Sequence, residues 1–196
     1  TWIKYLDGVD VVRYYTTWQN KLFVKYGKNL SRPRKYELFI GDRILIRQIP
    51  NKPPYCIHAC YTTETCINDN NSMIVKSKNQ DYSNLFLLGI INSRAISYWF
   101  EKTFAKHQRK VFPQFKVKEL EVFPIPNVKP EMYENRDKLI RNVEMIINEY
   151  ISLQSTKTQT DIDLHKSKIE LFNNQIDKIV YSLFFLDSED IAIIEK

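Results

Sequence analysis

The sequence predicts an α/β (α+β) domain, with a small mixed sheet and a packed helix, followed by a C-terminal antiparallel helical hairpin. Two observations carry that expectation. Short β-branched and aromatic runs crowd residues 41–75, and two stripes of apolar residues at helical spacing fill residues 131–183. The architecture is expected to change near Pro130, dividing the chain into residues 1–129 and 130–196.

The runs ILIRQI, YCIHACY and SMIV read as strands, separated by Pro-Asn-Lys-Pro-Pro and by the Asn-Asp-Asn-Asn cluster around Asn70. One helix is expected over residues 83–106. Leu85, Leu88, Ile91, Ala95, Ile96, Trp99 and Phe100 recur at its period, and Ser83 is placed to cap it. Trp99 is expected in the core. The segment LEVFPIP alternates and closes on prolines, which predicts a last strand leaving the domain.

Beyond Pro130, Leu139, Ile140, Val143, Ile146, Ile147, Tyr150 and Ile151 form one stripe. Leu164, Leu171, Phe172, Ile176, Ile179, Val180 and Leu183 form the second, expected to pack on the first across the short polar linker QSTKTQTD. Asp161 and Asp163 are placed to cap the second helix. Asp187, three residues before Asp190, is placed to cap a terminal one that packs Ile191, Ile193 and Ile194 on the hairpin.

Composition bounds the function. A chain of 196 residues, 43% hydrophobic and 13% aromatic, can bury a core and is not a disordered one. The formal charge of +6 favours an anionic partner. The only glycines, Gly8, Gly27, Gly41 and Gly89, lie too far apart for a phosphate-cradling loop. Cys56, Cys60 and Cys66, with His58 between the first two, lack the paired spacing of a zinc site and read as reduced thiols, so no metal is expected. No apolar run is long enough to span a membrane and no signal segment opens the chain, so a cytoplasmic protein without membrane contact is expected. A chain opening on Thr1 is expected to be a piece of a longer protein.

Asn51, Lys52, Pro53, Pro54 and Tyr55 approach the pattern by which adenine amino methyltransferases grip a flipped base. Lys52 stands where a hydrogen-bond acceptor is required, and an ammonium only donates. A turn between strands is the expected role. A metal-dependent nuclease core is not expected either, because neither Glu37 nor Asp42 has a convincing carboxylate and lysine partner.

Read in order, LDGVDVVRYYTTW, ELFIGDRILIRQI, LFLLGIINSRAISYWF, KVKELEVFPIP and IDKIVYSLFFLDSEDIAIIE resemble the C-terminal specificity domain of Taq-type adenine DNA methyltransferases and of type IIG restriction enzymes. The resemblance covers nearly the whole chain. It implies a non-catalytic part that recognises a short double-stranded DNA sequence. Methylation, and cleavage where it occurs, would belong to methyltransferase and nuclease domains of the same protein or complex. It places S-adenosylmethionine, and magnesium for cleavage, in that parent enzyme, and none in this chain. It also implies that the hairpin is a spacer or docking region for the catalytic part.

For such a partner two basic clusters stand out: Lys25, Lys28, Arg32, Arg34 and Lys35, then Lys102, Lys106, His107, Arg109, Lys110, Lys116 and Lys118. Base edges call for arginine on guanine and for asparagine or glutamine on adenine, so Gln108, Arg109, Gln114 and Arg47 are the base-contact candidates. Arg32, Arg34, Lys35, Lys76, Lys106, Lys110 and Lys116 are the phosphate candidates. The segment KHQRKVFPQFK is expected to be a groove-facing loop. Two other classes remain open: a general RNA or single-strand module using Tyr14, Tyr15 and Trp18, and a protein-interaction scaffold built on the hairpin.

Overall fold

In the computed structural model, which describes residues 1–104 and 114–196, the first half of the chain builds two three-stranded sheets. In the first, β1 (Trp2–Leu6) pairs antiparallel with β2 (Phe23–Lys25) and parallel with β5 (Ile67–Asn68), so this sheet is mixed. In the second, β3 (Arg43–Arg47) runs between β4 (Ala59–Thr62) and β6 (Ser72–Val75), antiparallel to both. Strands β3, β4 and β6 fall where the apolar runs place them; β1 and β2 lie upstream of the predicted strand region.

Alternation along β3 sends Ile44 and Ile46 into the main core, while Leu45 meets Leu6, Val11, Cys60 and Cys66 on the other face. The strand is therefore buried on both faces, which is why its sequence reads as an unbroken apolar run. All three cysteines are free and buried, and burial raises the pKa of each thiol.

The helix expected over residues 83–106 is two helices, α1 (Asn84–Ile91) and α2 (Arg94–Thr103). Ser83 does cap α1, its hydroxyl accepting from the Phe86 N–H at 3.2 Å. The break comes from Asn92, whose side-chain amide bonds both polar groups of Ala59, accepting from its N–H at 3.0 Å and donating to its carbonyl at 2.9 Å. A buried asparagine thus spends its hydrogen bonds on the strand next door, and Ser93 restarts the chain as the cap of α2. Apolar periodicity continues through the break, so it could not reveal it.

The strand expected at LEVFPIP is absent. Residues Val117–Leu120 form a single helical turn, α3, and the chain then leaves with Phe123 and Pro126 buried but no strand partner. Pro124 and Pro126 have no N–H to give a ladder, which accounts for the outcome.

The hairpin forms as expected from α4 (Tyr133–Ser155) and α5 (Gln159–Leu183), and α6 (Ser188–Ile194) closes the chain with Asp187 and Asp190 as a capping box. Two corrections apply. Thr158, not Asp161 or Asp163, caps α5, accepting from the Asp161 N–H at 3.2 Å, so Asp161 sits in the first turn and Asp163 just beyond it. The buried stripes are also narrower than predicted: Ile151, Leu164 and Leu171 are each more than half exposed.

What the hairpin buries, it buries against the first half. Leu139 and Val143 of α4, Phe172 and Ile176 of α5, Phe86 and Ile90 of α1, and Ile44 and Ile46 of β3 belong to one apolar cluster. Gly89 makes the close approach possible: a Cβ there would lie 2.9 Å from Leu139 Cδ1 and from Val143 Cγ2. A polar clamp crosses the same junction. Asp177 of α5, only 3% exposed, accepts from the Tyr55 hydroxyl at 2.7 Å and from the Arg94 N–H at 2.9 Å. The Arg13 guanidinium lies 3.6 Å over the Tyr55 ring and donates to Asn173 of α5 at 2.9 Å. Pro130 therefore marks a change of architecture and not a gap in the core. Among the described residues no helix is long and apolar enough to cross a membrane.

Candidate nucleic-acid interface

At the end of the second sheet where β3 stops, hydrogen bonds to main-chain atoms gather four segments that are distant in sequence. Gln48, one residue past β3, donates its N–H to the Asn71 carbonyl at 2.8 Å, and its own carbonyl accepts from the Phe115 N–H at 3.0 Å. The Arg34 guanidinium donates to the carbonyls of Asn68 and Asp69, and the Tyr26 hydroxyl donates to the Arg34 carbonyl. Residues 26–35, 47–52, 68–71 and 114–118 consequently share one end of the molecule.

Each loop is stiffened by its own polar contacts. In the 68–71 turn, Asn68 Nδ2 donates to the Ser72 carbonyl at 2.9 Å and the Asp69 carboxylate accepts from Asn71 Nδ2 at 2.6 Å, which leaves Asn70 exposed at the tip. Burial raises the Asp69 pKa, opposed by the bonds from Asn71. Gly8 backs the turn, since a Cβ there would stand 2.8 Å from the Asn71 Cβ. On β3, Arg47 lies in register with Ser72 and donates its N–H to the His58 carbonyl at 2.9 Å. His58 is held neutral, its pKa lowered from 6.5 to about 4 by burial first, then by the charges of Arg47 and Arg13.

The structure brings some of the sequence candidates together and separates others. Arg47, Gln114, Lys116, Arg32 and Arg34 lie on the four gathered segments, with Arg32 and Lys116 exposed. Arg34 is half buried and engaged with the 68–71 turn, its cation 4.8 Å over the Phe39 ring. Lys28, Lys35 and Lys118 are exposed on the same segments, and Lys25 and Lys102 are exposed elsewhere along the chain. Lys76 is at the opposite end of the sheet, following Val75, which pairs with Ile44, and its ammonium holds the carbonyls of Glu37 and Ile40 at 2.5 and 2.6 Å. Lys106, His107, Gln108, Arg109 and Lys110 lie outside the described residues.

Sequence reasoning missed Gln48, Asn70 and Asn71. Their amides stand in segments read only as turn punctuation, and nothing short of the strand register shows that two such turns meet. The base-flipping reading of Tyr55 is closed from the other side: one face of its ring is covered by Arg13 and its hydroxyl is committed to Asp177. The four glycines of the chain lie too far apart to form a glycine-rich phosphate loop. Among the described residues, no group of three or more His, Cys, Asp or Glu side chains could hold a metal ion.

A rigid sheet end that displays amides, guanidiniums and ammoniums, with its nearby aromatic and carboxylate groups tied into the scaffold, has the chemistry of a recognition module. The chain belongs to the TaqI-like C-terminal specificity domains, whose family model matches residues 3–125. It is 26% identical over 187 residues to a Methanocaldococcus jannaschii protein named as a type II restriction enzyme and methyltransferase, covering 95% of this chain and 15% of that one. Its fold is similar to that of the type IIL restriction-modification enzyme MmeI solved in complex with DNA, with a TM-score of 0.54 at 13% identity, over 79% of this chain and 20% of the other. The chain thus spans a fifth or less of either relative.

Proposed function

We propose that this chain reads a short double-stranded DNA sequence for a restriction-modification enzyme of the cytoplasm whose catalytic domains lie outside it. The observation that carries the reading is the convergence of the 26–35, 47–52, 68–71 and 114–118 segments at one sheet end in a member of a specificity-domain family. Arg47, Gln48, Asn70 and Gln114 supply the bidentate side chains that distinguish guanine and adenine in the major groove; Arg32 and Lys116 supply phosphate contacts that set register and salt dependence. The parent enzyme would be a site-specific adenine methyltransferase, with or without a nuclease, and would bind S-adenosylmethionine and, for cleavage, magnesium in those other domains.

The test is selection of bound duplexes from a random double-stranded pool at moderate salt, repeated with Arg47→Ala and Gln114→Ala. The expected result is an enriched short motif that loses information at one position in each variant. Uniform recovery with the unaltered chain would overturn the reading.

A further inference from the structure

The four segments gathered at the sheet end carry one exposed side chain that hydrogen bonding does not account for. Among their described residues, Pro33 apart, Val117 is the one aliphatic or aromatic side chain that is exposed, at 54%. It belongs to neither apolar cluster of the fold. Its main chain is nonetheless fixed. Two residues before it, Phe115 is fully buried, with its ring stacked on Phe123 at a centroid separation of 5.9 Å and its N–H on the Gln48 carbonyl at 3.0 Å. The Glu119 carboxylate accepts from the Lys116 N–H at 2.7 Å, and the Val117 carbonyl accepts from the Glu121 N–H at 2.9 Å. Lys116 and Lys118 are exposed on either side. A stiff turn thus holds a branched, rotamer-restricted apolar group at the surface between two cations. Val122 and Ile125 are exposed as well, but they lie past this turn and outside the four segments, and Val122 follows the exposed Glu121, a charge that phosphates repel.

An exposed aliphatic side chain is ordinary on a protein surface, and its place decides whether it has a use. In the major groove the base edges offer hydrogen-bond donors and acceptors, and the one apolar group they offer is the methyl at C5 of thymine. Arg47, Gln48, Asn70 and Gln114 answer the polar edges and leave that methyl without a partner. We infer that Val117 is a specificity-determining residue that meets a pyrimidine C5 methyl in the major groove, with thymine as its target. This contact rests on the DNA-reading face proposed above and adds to it a discrimination that no hydrogen bond supplies, because thymine and uracil differ in the methyl alone. Removing one methyl from water against the valine corresponds to about three- to fivefold in affinity. A methylated cytosine carries the same group at the same ring carbon, so the two sources share one chemistry and the experiment separates them.

The experiment starts from the duplexes that the whole chain selects from the random pool. They are resynthesised with each thymine in turn replaced by deoxyuridine, which removes the methyl and leaves base pairing intact, and with each cytosine in turn methylated at C5. Affinities are measured for the unaltered chain, for Val117→Ala and for Lys116→Ala. The expected result is one thymine whose replacement weakens binding of the unaltered chain about three- to fivefold and that of Val117→Ala by less than about 1.5-fold. Lys116→Ala, which removes a charge and no apolar contact, weakens binding of both duplexes alike and keeps their ratio. The fold tolerates Val117→Ala because the side chain is exposed, and an unshifted urea midpoint checks this. A gain of similar size at one methylated cytosine, absent in Val117→Ala and with no loss at any thymine, keeps the contact and moves its target to the methylated base. A selected motif in which neither change alters affinity, or a thymine effect that persists in Val117→Ala, overturns the role of Val117 and leaves the DNA-reading face standing. Uniform recovery from the pool overturns that face, and this contact with it.

Discussion

Replacing Tyr55 by Phe removes one hydroxyl and nothing else, and the structure says what that hydroxyl does. It donates to Asp177 Oδ2 at 2.7 Å, a short bond to a carboxylate that is 3% exposed, at the junction where the 48–56 loop meets α5. Asp177 keeps the Arg94 N–H at 2.9 Å and the Arg94 guanidinium at 3.5 Å after the change, so it is not stranded. A hydrogen bond to a charged group is worth about 1.5–3 kcal/mol, and the surviving partners argue for the lower part of that range. Asp177→Ala takes the acceptor from three donors at once and leaves the arginines facing a cavity, so about 3–5 kcal/mol is expected. For a chain of 196 residues each kcal/mol lowers Tm by roughly 2–4 °C. The assay is urea denaturation of wild type, both single variants and the double variant, read by tryptophan fluorescence and far-ultraviolet circular dichroism. The double variant should lose little more than Asp177→Ala alone, because without Asp177 the Tyr55 hydroxyl keeps only the long bond it accepts from Arg94 Nε at 3.2 Å. Both probes should also report one transition, since sheet and hairpin share a core. Losses below about 0.5 kcal/mol for Tyr55→Phe with strict additivity, or a hairpin that melts apart from the sheets, would refute the reasoning.

Three further outcomes follow from named contacts. His58, lowered from 6.5 to about 4, contributes stability that is present above pH 6.5 and lost as pH falls toward 4, because only the unfolded chain takes the proton in that window. Discounted for a half-buried ring, the loss is roughly 1–2 kcal/mol, and His58→Gln should flatten the urea midpoint between about pH 7 and about pH 4.5. Gly89→Ala sets helix propensity, worth about 1 kcal/mol in its favour, against a Cβ 2.9 Å from Leu139 and Val143. Overpacking costs about 1–3 kcal/mol and should win, giving a lower Tm that Leu139→Ala partly restores; a higher Tm for the single variant would show that α1 and α4 have room to spare. Lys116→Ala should lower the slope of log affinity against log salt by about 1 for every duplex and leave the selected motif unchanged, whereas a changed motif would place Lys116 at a base edge.

The parts of the fold that periodicity dictates were legible. Strands β3, β4 and β6 are apolar runs because both faces of their sheet are covered, and α4 and α5 carry stripes because each has a core side and a solvent side. What escaped was decided by single polar side chains or by pairings over long sequence distance. Asn92 ends α1 through two bonds to Ala59, and Thr158 takes the cap from Asp161. The β1 strand exists because it pairs with residues 23–25 on one edge and 67–68 on the other, and neither short segment announces itself alone. The site was half legible for the same reason. Residue type singled out Arg47, Gln114 and the basic clusters, since charge and amide chemistry are local properties. That Gln48 and the 68–71 turn stand beside Arg34 and Gln114 is a matter of register, which no window of sequence contains.

Register also explains how one scaffold can read a sequence without being rebuilt for each target. At the sheet end, apart from the Arg34 guanidinium and the Tyr26 hydroxyl, the atoms that hold the loops together belong to the main chain: the N–H and carbonyl of Gln48, the carbonyls of Asn68, Asp69 and Asn71, and the N–H of Phe115. The side chains of Gln48 and Asn70 take no part in those bonds, and that of Asn70 is exposed. Asn71 is different: its amide is tied to Asp69 and its Cβ is pressed against Gly8, so it is fixed by packing and not free to vary. Substituting Gln48 or Asn70 should therefore change the DNA motif with stability held within about 0.5 kcal/mol, while Asn71→Ala should lower stability as well as affinity. Specificity can vary only at positions whose main chain is already secured, and in this sheet end Gln48 and Asn70 meet that condition while their neighbour Asn71 does not.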